Sequence, residues 1–399
     1  MTGAAPSPAG RLLAGAGLVL LALNLRVAVS SLGVLLDPLR EDLGMGAATA
    51  GALTTLPVLC FALIGTASPG LVRVIGLHRT AATVLVVTAV GLALRAFAPT
   101  SIVLVLLTVL ALAGAAVGNV VLPPLAKLHF PDRLPLVSAL YGAALMGGGA
   151  LGSFASVPIA DAGGSWRFGL GAWAVLALAS LVPWLGLLGH DVHQDPAAAA
   201  HRVSTASLLR SPLAWALALC FGSQSAQAYA QFGWFPAILH DAGLSHAAAG
   251  SMQGVLTAVG IPTTLALPLA MRWSGDRPVL PWVFALLTAG GWLGVLWWPT
   301  QTPWLWAVLL GIGGSAFTWV LAMIGRCSAS PATTAALSGF AQGLGYLVAA
   351  IGPFGVGVLH ETSGAWSVPV VVLAVAALLI GVFGTLVQRG GVVDDQLSR

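Results

Sequence analysis

Apolar residues run along this chain in long blocks that are separated by short polar connections. A block of ~20 apolar residues is long enough to cross the ~30 Å hydrocarbon core of a bilayer as an α-helix. Twelve such blocks lie near residues 12–36, 48–72, 79–98, 100–126, 134–160, 167–188, 212–239, 246–271, 278–298, 302–325, 332–359 and 365–387. The pattern therefore predicts an all-α membrane protein with twelve transmembrane helices.

The second half of the chain repeats the landmarks of the first half. Gly51 aligns with Gly250 at a shift of 199 residues, and Trp166 aligns with Trp366 at a shift of 200 residues. Parallel repeats of apolar helices are an architecture of secondary transporters. We therefore expect two pseudo-symmetric six-helix bundles, at residues 1–188 and 212–399, joined by a cytoplasmic linker at residues 189–211.

The linker is the longest polar stretch of the chain. It contains a small group of residue types that bind metals, namely His190, Asp191, His193 and Asp195. No helix fixes the geometry of these side chains, so the pattern is typical of a solvated linker rather than of a metal site. The sequence predicts no metal and no cofactor.

Composition supports a membrane protein, because hydrophobic residues make up 58% of the chain, charged residues 7%, and the mean hydropathy is +0.95. One soluble domain cannot bury that much apolar surface, so lipid must act as solvent. The net charge of +4 is spread over the connections and forms no nucleic-acid patch.

Basic residues collect at one set of alternate connections, and acidic residues collect at the other set. The basic set is Arg11, Arg73, Arg79, Lys127, Arg133, Arg202, Arg210, Arg272, Arg277, Arg326, Arg389 and Arg399. The opposite set holds Asp37, Glu41, Asp42, Asp161, Asp241 and Glu361, with Arg40 and Arg167. By the positive-inside rule, both termini and the linker are cytoplasmic. We expect Arg73, Arg79, Lys127, Arg272 and Arg326 to act in topology and gating.

Arg26 is a cation within the first span. It lies 15 positions beyond Arg11, or ~22 Å along a helix, which places it near mid-membrane. A guanidinium at that depth costs at least ~2.5–3.5 kcal/mol, and an intramembrane charge is a functional-site hypothesis by default. The alternative is a structural pair with a carboxylate or with helix-end carbonyls. Asp37 is ~16 Å away along the helix, too far for direct contact.

Polar side chains other than Arg26 also lie within the spans. Candidate substrate-binding residues are Asn24, Ser30, Asn119, Gln224, Gln227, Gln342 and Tyr346, in addition to Arg26. Gln224, Gln227 and Gln231 follow helical spacing and form one face of span seven. Such a face can line a cavity or make interhelical hydrogen bonds, and the sequence favours neither.

Several other residues are assigned to the membrane interfaces. Arg95, close to Pro99, is expected to snorkel to the interface. Five tryptophans are expected to form an interfacial belt, namely Trp292, Trp297, Trp298, Trp304 and Trp306. No span carries a central carboxylate, which leaves Asp37 and Glu361 as the candidates for coupling to protons.

Several segments together carry a resemblance to a known family. They are NLRVAVSSLGVLLDPLREDLGM at 24–45, AGALTTLPVLCFAL at 50–63, GNVVLPPLAKLHFPD at 118–132, WFPAILHDAGLS at 234–245, and LSGFAQGLGYLVAAIGPFGVGVLHETSGAW at 337–366. With these segments the chain resembles the major facilitator superfamily, and within it the branch of cyanate permeases and 2-nitroimidazole transporters. In the usual loop signature of that superfamily, Arg73 stands where the acidic residue would fall.

The resemblance implies a twelve-helix inner-membrane transporter that works by alternating access between two six-helix halves. In that fold, spans one, four, seven and ten line the central path. It therefore implies that Arg26, Asn119, Gln224 and Gln227 face the path, with Gln342 and Tyr346 close by. Substrates of this branch include cyanate and nitroimidazoles.

Three functions are open to a chain of this kind. The preferred one is a monomeric transporter of a small anionic or polar organic solute. The second is an exporter of hydrophobic compounds, because 14 Trp and 13 Phe could line an apolar pocket, although most of the tryptophans fall near interfaces. An intramembrane enzyme would need titratable or nucleophilic groups clustered at membrane depth, and all eight histidines fall in loops or at span ends.

Overall fold

In a computed structural model, the chain is helical and has no strand in any described segment; residues 8–188, 205–329 and 331–397 are described. The N-terminal half contains α1 (Pro8–Val34), α2 (Leu36–Leu43), α3 (Ala47–Ile75), α4 (Leu77–Arg95), α5 (Ser101–His129), α6 (Leu134–Gly163), α7 (Trp166–Gly171) and α8 (Trp173–Leu185). A 3₁₀ turn at Pro131–Arg133 connects α5 to α6. Residues 189–204 of the predicted linker, including its four metal-binding residue types, lie outside the described residues.

The C-terminal half follows a short helix, α9 (Thr205–Leu208). It contains α10 (Pro212–Asp241), α11 (His246–Ser274), α12 (Val279–Trp297), α13 (Pro303–Gly313), α14 (Ala316–Arg326), α15 (Pro331–Ala349), α16 (Ile351–Ser363), α17 (Ser367–Arg389) and α18 (Val393–Leu397). Spans six, ten and eleven are each broken into two helices, the tenth at Gly314 and Ser315.

Ten of the described helical segments are long and apolar enough to cross a membrane. The two remaining spans are α3, in which residues 49–65 form an apolar helix within the described side chains, and α10, which has 30 residues but carries several amide side chains. The prediction of an all-α membrane protein with twelve spans in two six-helix halves is confirmed. The division at residues 189–211 stays a prediction.

The repeat in the sequence reappears as a repeated contact. In the N-terminal half, the indole N–H of Trp166 donates to the carboxylate of Asp42 over 3.0 Å. In the C-terminal half, the indole N–H of Trp366 donates to Asp241 over 2.7 Å. Each bond ties the end of the first span of its half to the start of the last span. We call these two bonds the Trp–Asp tethers.

The two ends of the bundle differ in charge. We call the end that holds Asp42, Asp161, Asp241 and Glu361 the acidic end, and the opposite end the basic end. At the basic end Arg79, Lys127 and Arg272 are exposed, Arg326 pairs with Asp276, and the Arg73 side chain lies outside the described residues. The gating role of these cations and the side of the membrane on which each end lies stay predictions.

The halves approach each other closely toward the acidic end. A Cβ on Gly33 of α1 would overlap the carbonyl oxygen of Phe232 on α10. A Cβ on Gly254 of α11 would lie 2.6 Å from the Phe154 ring on α6, and one on Gly51 of α3 would lie 3.3 Å from the backbone of α16. Backbone packing through glycine therefore closes this end of the path between the halves.

Two residues expected at the interface are buried. Arg95 is fully buried and donates to the carbonyl of Ala28 over 3.1 Å and to the Ser31 hydroxyl over 2.9 Å, both on α1. Trp292 is also fully buried, and its indole N–H donates to Gln227 over 2.8 Å. The expectations of snorkelling and of an interfacial position were wrong here, because both side chains find hydrogen-bond acceptors on neighbouring helices.

Candidate functional site

A cavity lies between the two halves. Its wall comes from α1 and α6 of the N-terminal half and from α10, α11, α13 and α14 of the C-terminal half. Gly314 and Ser315, at the break between α13 and α14, are part of the wall.

Arg26 extends from α1 into this cavity and is only 8% exposed. Its guanidinium carbon lies 5.4 Å from the ring centre of Phe317, 5.8 Å from that of Phe232 and 6.0 Å from that of Tyr229. Cation–π contacts of this length stabilise a desolvated cation by ~0.5–2 kcal/mol. No carboxylate in the described segments pairs with Arg26, so the charge is held by rings rather than neutralised.

Two tyrosine hydroxyls beside Arg26 lack well-formed hydrogen bonds. The Tyr229 hydroxyl interacts electrostatically with Arg26 and with the Tyr346 hydroxyl, and Tyr346 is close to Asn119. Within the described segments, however, neither hydroxyl has a hydrogen bond of normal geometry. Tyr346 is fixed by ring contacts with Phe61 at 5.5 Å and with Phe221 at 4.9 Å. Buried polar atoms without partners are rare and need water or a ligand.

The amides of α10 divide between the cavity and the helix contacts. Gln224 lines the cavity and donates to the carbonyl of Gly314 over 3.3 Å. Gln227 points away from the cavity, donates to the carbonyl of Leu373 over 2.9 Å and accepts from Trp292. Of the two alternatives for the amide face, cavity lining describes Gln224, and interhelical hydrogen bonding describes Gln227.

Three other candidates are absent from the cavity wall and contact helix residues instead. Asn24 donates to the carbonyl of Leu20 over 2.8 Å and to the Ser180 hydroxyl on α8 over 2.7 Å. Ser30 is fully buried where α1 packs against α6. Gln342 donates to Ser338 of its own helix over 2.7 Å. Of the predicted site residues, the cavity wall thus contains Arg26 and Gln224. Tyr346 is not part of the wall, but its hydroxyl is close to that of Tyr229 and to Asn119.

The cavity also contains residues that were not among the predicted site residues. Tyr229, Phe232 and Phe317 surround the guanidinium of Arg26. The sequence could have identified Tyr229 as a site residue, because tyrosine occurs only three times in the chain and this one lies within an apolar span. A phenylalanine among many apolar residues carries no such signal.

The two candidates for proton coupling lie at the acidic end, away from the cavity. Asp37, on α2, is partly buried, and burial together with the nearby charge of Asp241 raises the pKa of its carboxyl. Arg40 lies 3.9 Å from Asp37 and acts in the opposite direction. Glu361 is exposed at the end of α16.

Comparison with known proteins shows where this architecture recurs. The sequence model of the Major Facilitator Superfamily matches residues 18–353 of this chain. A 2-nitroimidazole transporter of Escherichia coli K12 is 35% identical over 375 residues, which is 94% of this chain and 95% of that protein. The cyanate transport protein CynX of the same organism is 33% identical over 350 residues, or 87% and 90% of the two chains.

A solved structure shows the same fold at low identity. It is a bacterial homolog of the human lysosomal transporter Spinster, in an inward-facing and unoccupied conformation. The TM-score is 0.76 with 15% sequence identity, and the alignment covers 96% of this chain and 98% of that one.

Proposed function

Because the chain belongs to the Major Facilitator Superfamily and is therefore a multi-pass membrane transporter, we propose that it carries a small anionic or polar organic solute by alternating access. The solute is of the cyanate or nitroimidazole kind. The names of the two relatives support this class, since each is similar to this chain over most of its length. The proposed location is a cell's inner membrane.

Arg26 carries the proposal. It is a buried cation in a cavity between the halves, and it has ring contacts but no carboxylate partner among the described residues. A guanidinium offers N–H donors in a planar fork that matches two oxygens of one acceptor. A bound anion or nitro group would supply the paired oxygen acceptors that no described carboxylate provides to Arg26.

The rings around Arg26 favour a flat, delocalised solute. Phe232 and Phe317 can contact its faces, while the hydroxyl of Tyr229 and the amide of Gln224 can hydrogen-bond to its edges. Polar groups in such a wall orient the ligand, and apolar rings exclude water around it. The wall therefore suits a planar molecule with one negative or strongly dipolar end.

The same contacts explain how binding is coupled to the movement of the halves. Arg26 belongs to the N-terminal half, whereas Tyr229 and Phe317 belong to the C-terminal half. A solute that contacts both halves favours the conformation in which they lie close together around it. Because its affinity differs between conformations, its binding shifts the equilibrium among them. The state described here is closed at the acidic end, so opening that end requires α1 and α10 to separate at Gly33.

The experiment is uptake of labelled 2-nitroimidazole and cyanate into proteoliposomes that contain purified protein. Arg26→Lys keeps the charge but loses the planar fork, so it should weaken binding and retain part of the transport. Arg26→Gln should abolish binding while the protein stays folded. A matched control is Arg167→Gln, since Arg167 is a partly exposed arginine at the acidic end that pairs with Asp42 and lies outside the cavity.

Two results would refute the proposal. One is transport by Arg26→Gln at the rate of the parent protein. The other is loss of folded protein on replacement of Arg26, which would make the residue structural. Uptake of neutral apolar compounds that does not depend on Arg26 would instead favour the exporter of hydrophobic compounds, because Met146 and Leu256 also line the cavity.

A further inference from the structure

Three side chains with metal-binding chemistry meet at the acidic end, where the halves touch. Asp37 lies on α2 of the N-terminal half. His240 lies in the last turn of α10, and His246 begins α11, both in the C-terminal half. One donor atom from each residue lies within 4.8 Å of the other two, and all three residues are partly buried. The group lies outside the cavity and has no role in the proposed binding of the solute.

The hydrogen bond of His240 prepares its ring for a ligand. Its Nδ1 lies 2.8 Å from the carbonyl oxygen of Leu244. A carbonyl only accepts, so Nδ1 carries the proton and Nε2 keeps its lone pair. Metal-binding histidines almost always hold the second ring nitrogen in this way, often against a backbone carbonyl. The contact therefore fixes the orientation and the tautomer that a metal ligand needs.

The local charge also fits a cation, whereas the ring arrangement requires one rotation. The rings of His240 and His246 are stacked, with centres 3.7 Å apart and planes 21° apart, so the His246 ring must rotate out of the stack for both rings to bind one ion. Asp37 interacts electrostatically with both rings and with the carboxylate of Asp241, while Arg40 contributes one opposing charge. Two carboxylates that repel each other beside two imidazoles are stabilised by a divalent ion placed between them.

We propose that Asp37, His240 and His246 bind one Zn²⁺ ion at the interface of the two halves. Two imidazole nitrogens and one carboxylate oxygen form a donor set of the kind that zinc binds, whereas Mg²⁺ and Ca²⁺ require mostly oxygen ligands. Bonds of about 2.0–2.2 Å to zinc would draw the donor atoms closer together than they lie now. Water fills the fourth position.

Binding at this place connects the halves. Two ligands belong to the C-terminal half and one to the N-terminal half, so the ion must lose a ligand before the acidic end opens. Zinc thus stabilises the state that is closed at this end, by binding one conformation better than the other.

Isothermal titration of the purified full chain, free of any histidine tag, with ZnCl₂ tests the proposal. We expect one Zn²⁺ per chain and no saturable binding of MgCl₂. His240→Ala should lower the affinity at least tenfold, and so should Asp37→Asn, which leaves both rings in place. His360→Ala is the matched control, because His360 is at the same end and also stacks on a ring, that of Trp366.

Thermal unfolding gives a second measurement that does not depend on the folded yield of one variant. Zinc should raise the melting temperature of the parent and of His360→Ala, and it should leave that of Asp37→Asn unchanged. The proposal is overturned if the parent has no saturable site for one ion. It is equally overturned if His240→Ala and Asp37→Asn bind zinc as tightly as the parent, or if His360→Ala loses as much affinity as they do.

Discussion

Gly33 is the point at which a single methyl group should shift the balance between the states of the transporter. In Gly33→Ala, the new Cβ would lie 2.9 Å from the carbonyl carbon of Phe232 and would overlap its oxygen. Both atoms belong to the backbone of α10, so no rotamer change can relieve the overlap. The two helices must move apart, and they belong to different halves.

The size of the effect follows from the cost of overpacking. Cβ atoms in proteins essentially never come within 3.0 Å of another heavy atom. Inserting a methyl group into a well-packed contact typically costs about 1–3 kcal/mol. That cost applies only to the state in which the acidic end is closed, because α1 and α10 are apart at Gly33 when it opens. A difference of ~1–3 kcal/mol corresponds to ~5–150-fold in the equilibrium between the two states.

Distance measurement between two spin labels at the acidic end would report this shift. Ala162 and Thr362 are exposed and lie in different halves, so Ala162→Cys with Thr362→Cys gives a suitable pair. The native cysteines are buried and react poorly with labels. In Gly33→Ala, the population with the longer distance should increase at least fivefold.

Two glycine substitutions separate this effect from a general loss of stability. Gly142→Ala has no heavy atom within 4 Å of the new Cβ, so it should leave the distances unchanged and should not lower the melting temperature. In Gly148→Ala the new Cβ would overlap the carbonyl of Leu23, a contact inside the N-terminal half, so it should lower the melting temperature without changing the distances. An unchanged distance distribution in folded Gly33→Ala would refute the reasoning.

Two further predictions concern the amides and the topology. Gln227→Leu leaves the buried indole N–H of Trp292 without a partner, at a cost of ~1–3 kcal/mol, and removes the bond to the Leu373 carbonyl, so thermal unfolding should occur at a lower temperature while the KM for uptake is unchanged. A raised KM at an unchanged melting temperature would contradict this assignment. In intact cells, a membrane-impermeant maleimide should label Ala162→Cys but not Ala198→Cys, and the reverse pattern would overturn the predicted orientation.

The spans and the repeat could be predicted from the sequence because both depend on composition over many residues. An apolar block of membrane length forms a helix whatever its neighbours are, since lipid offers no partner to a free backbone group. The alignment of Trp166 with Trp366 likewise indicated equivalent places in the two halves. The Trp–Asp tethers show that equivalence as matching hydrogen bonds.

The direction of single side chains could not be predicted in the same way. Gln224 and Gln227 are three residues apart and therefore differ by only about 60° around α10. That small rotation separates the cavity from the groove where Trp292 and Leu373 provide partners. The period of a helix identifies a face, but the neighbouring helices decide which edge of the face meets a cavity.

The two arginines Arg26 and Arg95 show the same limit. Both lie within apolar spans, and the sequence places Arg95 nearer to an interface. Its burial depends on the carbonyl of Ala28 and the hydroxyl of Ser31, which α1 presents to the last turn of α4. These acceptors are more than 60 residues away along the chain and become visible only when the helices are packed. Arg26 meets rings instead, and this difference distinguishes the two roles.

The Trp–Asp tethers have a consequence for the order in which the protein is made. The bond between Trp166 and Asp42 closes the N-terminal half on itself, and α1 packs against α6 and α8 of that same half. This half can thus be complete while the ribosome is still translating the second copy of the unit. During that interval the surface that carries Arg26 and Gly33 has no partner in the protein. In the nascent chain, the surface of the transport path is therefore exposed to lipid until the C-terminal half packs against it. Membrane chaperones are most needed during this interval.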